Sequence, residues 1–139
     1  MAFTGPLEDR VAIHELVASY GDAVTRRDAD DWIGNWAEDG VWKLPAIPGM
    51  ERIEGSAAIL KAWLDAMPGW PFQVNFQRCG AIVVEGETAH GHTYTDELNT
   101  DTAGKTERWL NRYDDEWVKR DGRWYFASRS LEVLVIRPG

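Results

Sequence analysis

The chain has 139 residues, a formal net charge of −8 and a single cysteine, Cys79. The acidic balance excludes recognition of nucleic acid through its phosphates, which needs a basic surface. The lone cysteine excludes an intramolecular disulfide and fits a reducing, cytoplasmic setting. The length suits one domain, residues 1–139, able to bury a core. No apolar stretch reaches membrane-spanning length, and the first ten residues lack a secretory pattern. Eight tryptophans must be packed into a core, an interface or an apolar pocket.

Pro6 followed by Glu8 and Asp9 reads as a helix start. Ile13, Leu16, Val17, Tyr20 and Val24 recur at helical spacing. Asp28 reads as the N-cap of a second, short helix carrying Trp32, Ile33 and Trp36, ended by Asp39-Gly40. "VWKLP" (41–45) reads as a short strand. Ser56 reads as the cap of a third helix that stops before Pro68-Gly69. The second half reads as strands over 72–84, 88–99, 106–119 and 123–136, with Asp121-Gly122 as a hairpin turn. Helices first and a long meander after imply an α+β fold, with helices on one face of a curved sheet. In the last strand, Tyr125, Ala127, Arg129, Leu131 and Val133 alternate with Trp124, Phe126, Ser128, Ser130, Leu134 and Ile136. Both faces are largely apolar, so a homo-oligomer, dimer or trimer, is expected to cover the face that the helices leave.

Five stretches, "AIHELVASYGDAVTRRDADDW", "AEDGVW", "IEGSAAI", "EGETAHGH" and "RYDDEWVKRDGRWYFASR", span most of the chain. Together they resemble the SnoaL-like branch of the nuclear transport factor 2-like superfamily. The resemblance implies a cone: a curved antiparallel sheet closed by three N-terminal helices around a deep, mostly apolar pocket. It is strongest to the scytalone dehydratase, bile-acid dehydratase and hexachlorocyclohexane dehydrochlorinase group, whose members use a His–Asp pair inside the cone. The matching positions here are Asn75 and Thr25, so both members of that pair are replaced. Trp42 and Arg129 match pocket residues of the dehydrochlorinase.

Taken with strand alternation, the resemblance turns Gln73, Asn75 and Gln77 inward, with Gly91, Thr93, Thr95 and Glu97 of the next strand. Trp109, Asn111 and Tyr113 follow, then Ala127, Arg129, Leu131 and Val133. His90 and His92 fall on the outer face with Tyr94 and Asp96. A His-x-His strand can ligate a metal, but the only other histidine is His14, and a catalytic metal usually wants three ligands; no metal or other cofactor is expected. Glu97 reads either as a proton-transfer group whose charged form is disfavoured in an apolar cone, or as the ion-pair partner of Arg129. The candidate catalytic set is Glu97, Asn75, Tyr20 and Arg129. The candidate substrate-binding set is Trp42, Gln73, Thr95, Trp109, Asn111 and Tyr113.

The implied function is a cofactor-independent lyase or isomerase acting by general acid/base catalysis on a small hydrophobic molecule, aromatic or cyclic. The alternative is a non-catalytic binding module, or a structural subunit similar to the small subunit of aromatic-ring dioxygenases.

Overall fold

Acidic residues beside the first-turn amides and a continuous apolar stripe make the first helix. In the computed structural model, which describes residues 2–139, α1 spans Leu7–Arg26 and buries Ile13, Leu16, Val17, Tyr20 and Val24. It ends at Arg27, which takes the left-handed conformation (φ 58°). The Arg27 guanidinium donates to the carbonyls of Met67 (3.0 Å) and Trp70. The Asp28 carboxylate accepts the Asp31 N–H at 3.0 Å and caps α2, Ala29–Ile33, as its short side chain is suited to do.

Two boundaries differ from the sequence reading. The helix stops at Gly34, so Trp36 opens β1, Trp36–Lys43, and Asp39-Gly40 lies inside that strand. Pairing with the last strand, Trp36 opposite Phe126, overrides the turn preference of Asp-Gly. After β2, Ile53–Glu54, comes α3, Ser56–Ala66. Its N-cap is Gly55 at φ 87°, and no side chain caps it; Ser56 is already helical. A 3₁₀ turn, Met67–Gly69, follows.

The meander forms as expected: β3 Phe72–Glu85, β4 Thr88–Thr100, β5 Thr106–Arg120 and β6 Arg123–Pro138. The curved, unclosed sheet has the order β2-β1-β6-β5-β4-β3. Its meander is antiparallel, but β1 joins β6 in parallel, with Trp42 opposite Arg129. Helix α1 packs on β3 and α3 on β1, which closes the inner face.

Six tryptophans are core residues: Trp32, Trp36, Trp42, Trp63, Trp117 and Trp124. Trp32 and Trp63 stack at 4.8 Å, and Trp32 meets Trp42 edge-on at 5.4 Å. Gly91, between the two histidines, is required by that packing. A Cβ there would lie 2.5 Å from the Ala81 carbonyl and 3.3 Å from the Trp117 ring.

The last strand corrects the expected alternation. Glu116 pairs with Ser128, and Trp117 with Phe126, so Ala127 is an extra residue, a β-bulge. Trp124 and Phe126 therefore face inward together with Arg129, and Tyr125 and Ala127 do not share the Arg129 face. A bulge adds one residue and reverses the side-chain alternation beyond it. A second bulge at Leu134 leaves that leucine 47% exposed.

Candidate active site

The open end of the cone holds a cavity of about 440 Å³. One side is polar. Gln73 from β3, Glu97 and Asn99 from β4, and Asn111 from β5 lie on adjacent strands, with Gln73 opposite Asn99 in register. The other side is apolar. Trp42 and Leu44 come from β1 and its end, Ile47 and Met50 from the loop after it, Ala66, Met67 and Trp70 from the end of α3 and beyond, and Leu131 from β6. The loop is folded tightly enough to present fixed side chains, with Leu44 N–H donating to the Met50 carbonyl at 2.9 Å. Trp70 and Trp109 meet edge-on at 5.9 Å. The two Arg27 bonds hold the 67–70 segment in place.

Glu97 is the only side chain with a formal charge in this wall among the described residues. Its Oε2 accepts from the Thr95 hydroxyl at 3.1 Å and from Asn111 Nδ2 at 2.5 Å. Asn111 Nδ2 also donates to Thr95 Oγ1 at 3.0 Å, so the three side chains orient one another. Burial pushes the Glu97 carboxyl above the ordinary glutamate range, against the opposing pull of the Thr95 and Asn111 donors, the more distant Arg129 charge and the Asn99 amide. A carboxyl so placed holds a proton more readily than in water and can exchange it near neutral pH.

Tyr113 stands beside it in the wall. Its hydroxyl oxygen accepts from Trp42 Nε1 at 3.2 Å. Burial raises Tyr113 above the ordinary phenol value, so it stays protonated.

Of the two readings of Glu97, the ion pair with Arg129 does not form. Arg129 is fully buried and grips Asp115 instead, Nε to Oδ1 at 2.7 Å and Nη2 to Oδ2 at 3.1 Å. The Thr93 hydroxyl adds a 2.6 Å bond to the same carboxylate. The guanidinium lies 3.7 Å over the Tyr113 ring, 4.2 Å over Phe126 and 4.4 Å over Tyr20. Burial opposes the Arg129 charge, but Asp115, together with the Tyr20 and Tyr113 oxygens, outweighs it and keeps Arg129 protonated. Burial likewise pushes the Asp115 carboxyl upward while Arg129 and Thr93 hold it down.

Of the four catalytic candidates, only Glu97 lines the cavity. Tyr20 is a core residue, 3% exposed, packed on Trp32, Trp36 and Phe126. Asn75 does face inward beside Glu97, but it lies under α1 against Gly21. Its N–H donates to Thr25 Oγ1 at 2.9 Å and its Oδ1 accepts from Gln77 at 3.0 Å. Of the substrate-binding candidates, Trp42, Gln73, Trp109, Asn111 and Tyr113 are in the wall; Thr95 is behind it, orienting Glu97.

Asp115 and Asn99 were missed although each continues the inward alternation of its strand, 111-113-115 and 95-97-99. Met50, Met67 and Trp70 come from connecting segments, where no periodicity marks them. His90 is exposed on the outer face, and His92 lies 3.6 Å from Asp114. Asp96 on that face is gripped by Arg108 at 2.9 and 2.7 Å. Cys79 is buried, and burial pushes its thiol up to about 12.

Many solved structures share this architecture. A candidate aromatic ring hydroxylase from Novosphingobium aromaticivorans superposes with a TM-score of 0.87 at 23% identity, covering 98% of this chain and 96% of its own. A candidate scytalone dehydratase from the same organism gives 0.84 at 18%, covering 96% and 89%. The hexachlorocyclohexane dehydrochlorinase LinA-type3 from Novosphingobium barchaimii gives 0.82 at 20%, covering 96% and 91%. At these identities the likeness is one of fold. No curated protein matches the sequence. The model of the SnoaL-like domain matches residues 5–130, which is most of the chain, and with the cone now described the protein belongs to the SnoaL-like family.

Proposed function

We propose that the chain is a cofactor-independent lyase or isomerase that moves a proton on a small, ring-bearing apolar substrate held in the cone. The observation that carries this reading is Glu97: a carboxyl in a largely apolar cavity, held by neutral donors and paired with no cation. The Glu97 carboxylate takes a proton from a carbon next to a substrate carbonyl group, and charge moves onto the carbonyl oxygen. The Tyr113 hydroxyl donates to that oxygen as charge builds on it, and Trp42 Nε1 supports the phenol from behind. The substrate then expels a leaving group, or takes the proton back at another carbon. Tyr113 thus fills the oxygen-polarising role that the sequence reading gave to Asn75 and Tyr20. Arg129 acts only through the Tyr113 ring it stacks on, as a positioning residue. The names of the dehydrochlorinase and dehydratase neighbours agree with an elimination.

The test is proton exchange in deuterium oxide across a panel of cyclic ketones and hydroxy-ketones, followed by mass spectrometry. Label uptake with wild type and its loss in Glu97→Gln is the expected result. Equal uptake by the variant would rule out the role given to Glu97.

One observation favours the alternative of a binding module. Thr25 and Asn75, which replace the family's His–Asp pair, are bonded to each other across α1 and β3 and serve structure there. A ligand captured stoichiometrically and recovered unchanged would select that alternative. The expected self-association is supported by Phe72, Phe76, Tyr94 and Leu134, all exposed on the outer sheet face. Light scattering on a sizing column, giving a monomer stable to dilution and concentration, would dismiss it.

A further inference from the structure

Resting on the reading of this cavity as the working site, we propose that Arg27, which lies outside the cavity, is a positioning residue that sets the size of ring held against Glu97. It does so by pinning the Met67–Trp70 wall. The backbone at Arg27 is the first sign. Its N–H and that of Asp28 return to the carbonyls of Val24 (3.1 Å) and Ala23 (2.9 Å) and close the end of α1. This turn needs a left-handed residue, a place that glycine takes without strain and other residues do not. Arginine holds it here at φ 58° and ψ 41°. Glycine would serve the backbone better, so the reason for arginine lies in its side chain.

That side chain reaches across to another element. Nη1 donates to the Met67 carbonyl at 3.0 Å and Nη2 to the Trp70 carbonyl, so one guanidinium spans the whole 3₁₀ turn. A planar fork can bridge two carbonyls in this way, and a lysine ammonium cannot. The turn continues the C-terminal end of α3, where a cation is favoured, and neither α3 nor the turn has a basic residue in its last turn. The guanidinium is half-buried, and both bonds go to backbone oxygens rather than to a carboxylate. Burial accordingly disfavours its charge, a cost set against holding the turn.

What the turn carries is cavity wall. Met67 and Trp70 line the same space as Glu97, and Trp70 meets Trp109 edge-on. Between them Pro68 and Gly69 are exposed, as is Pro71 beyond, so the segment buries little to anchor itself. The other wall built from connecting chain differs. Residues 44–50 close on themselves, with Leu44 N–H on the Met50 carbonyl at 2.9 Å and Met50 N–H on the Ile47 carbonyl at 3.0 Å. One wall is thus held by its own backbone and the other by a side chain from the end of α1. Release of Arg27 lets Met67 and Trp70 draw back, which loosens the grip on a small ring and makes room for a larger one.

The experiment is a calorimetric or tryptophan-fluorescence titration of the intact chain with two neutral ketones, the bicyclic 1-tetralone and the tricyclic fluorenone. Thermal melting and amide hydrogen exchange accompany it. Arg27→Gly suits the left-handed backbone, so its melting midpoint should stay within a few degrees of wild type. It should bind 1-tetralone at least about tenfold more weakly, and the affinity ratio should move at least about threefold towards fluorenone. Amide exchange over residues 67–72 should quicken at least about tenfold while β4 and β5 are unchanged. Arg27→Lys, which reaches one carbonyl at a time, should fall between Arg27→Gly and wild type in both binding and exchange. The proposal is overturned by wild-type affinity in Arg27→Gly, by equal weakening of both ketones, by a binding loss that tracks a lowered melting midpoint, by Arg27→Lys equal to wild type, or by no binding of either ketone. None of these readouts needs turnover. Label exchange lost in Glu97→Gln with Arg27→Gly behaving as wild type sinks this inference alone; the Arg27 effects without any label exchange sink the catalytic reading alone.

Discussion

Glu97 and Asp115 are two acids on neighbouring strands, both facing the interior, yet the fold treats them oppositely. Asp115 is wholly enclosed and receives a two-bond grip from Arg129 plus the Thr93 hydroxyl. Its oxygens are used up. Glu97 receives only neutral donors and borders a cavity. Both carboxyls are pushed upward by burial. Burial therefore does not distinguish them. The difference lies in whether a cation is paired with the acid and whether space lies beside it. A paired buried acid organises structure; an unpaired one next to a cavity is available for proton transfer.

The comparison can be broken most directly at the pair. Replacing Arg129 by Met leaves Asp115 enclosed and unpaired, and should cost about 3–5 kcal/mol of stability in chemical denaturation. The double variant Arg129→Met/Asp115→Leu should recover most of that loss. A single-variant loss below about 1 kcal/mol would mean that Asp115 is not held as an ion pair.

At Glu97 the effect should fall on rate. Turnover of a confirmed substrate should drop about 10²- to 10⁴-fold in Glu97→Gln, the range for loss of a general acid or base. Its stability should move the other way, and the sign follows from linkage. The folded-state value of Glu97 is raised above the ordinary 4.5, so the fold favours the protonated form. The acid therefore weakens the fold increasingly as pH climbs from that ordinary value through the raised one. Glu97→Gln should be more stable than wild type above this window and closer to it below. Denaturation midpoints across pH check this, and a variant destabilised at high pH contradicts the assignment of an unpaired acid.

Smaller effects sharpen the picture. Trp42→Phe removes the bond to the Tyr113 hydroxyl and should cost about 1 kcal/mol, while lowering kcat more than it raises KM. Asp96→Asn on the outer face, next to Glu97 in sequence, breaks an exposed ion pair with Arg108 and should leave both stability and turnover unchanged within error. A turnover loss in Asp96→Asn would place the working face on the wrong side of β4.

Much of the polar side was legible from alternation. Gln73, Glu97, Trp109, Asn111 and Tyr113 were placed inward by a period of two and a family resemblance, and the cavity contains them all. Alternation failed in β6, where the bulge at Ala127 carries no residue type that announces it. The resemblance also pointed to Asn75, Tyr20 and Arg129, which the packing of α1 and the Asp115 pair withdraw from the cavity. Ile47, Met50, Met67 and Trp70 sit in segments without a regular period, so nothing local marked them as wall.

The sequence by itself determined the helices, the four-strand meander and the α+β class. These follow from apolar spacing, capping and turn chemistry, which act over a few residues. Only the tertiary structure decided that Arg129 belongs to Asp115 and that Glu97 is left without a cation. The choice between the two acids rests on register and bulge, which place Asp115 directly opposite Arg129 across β5 and β6 and set Glu97 beside the cavity.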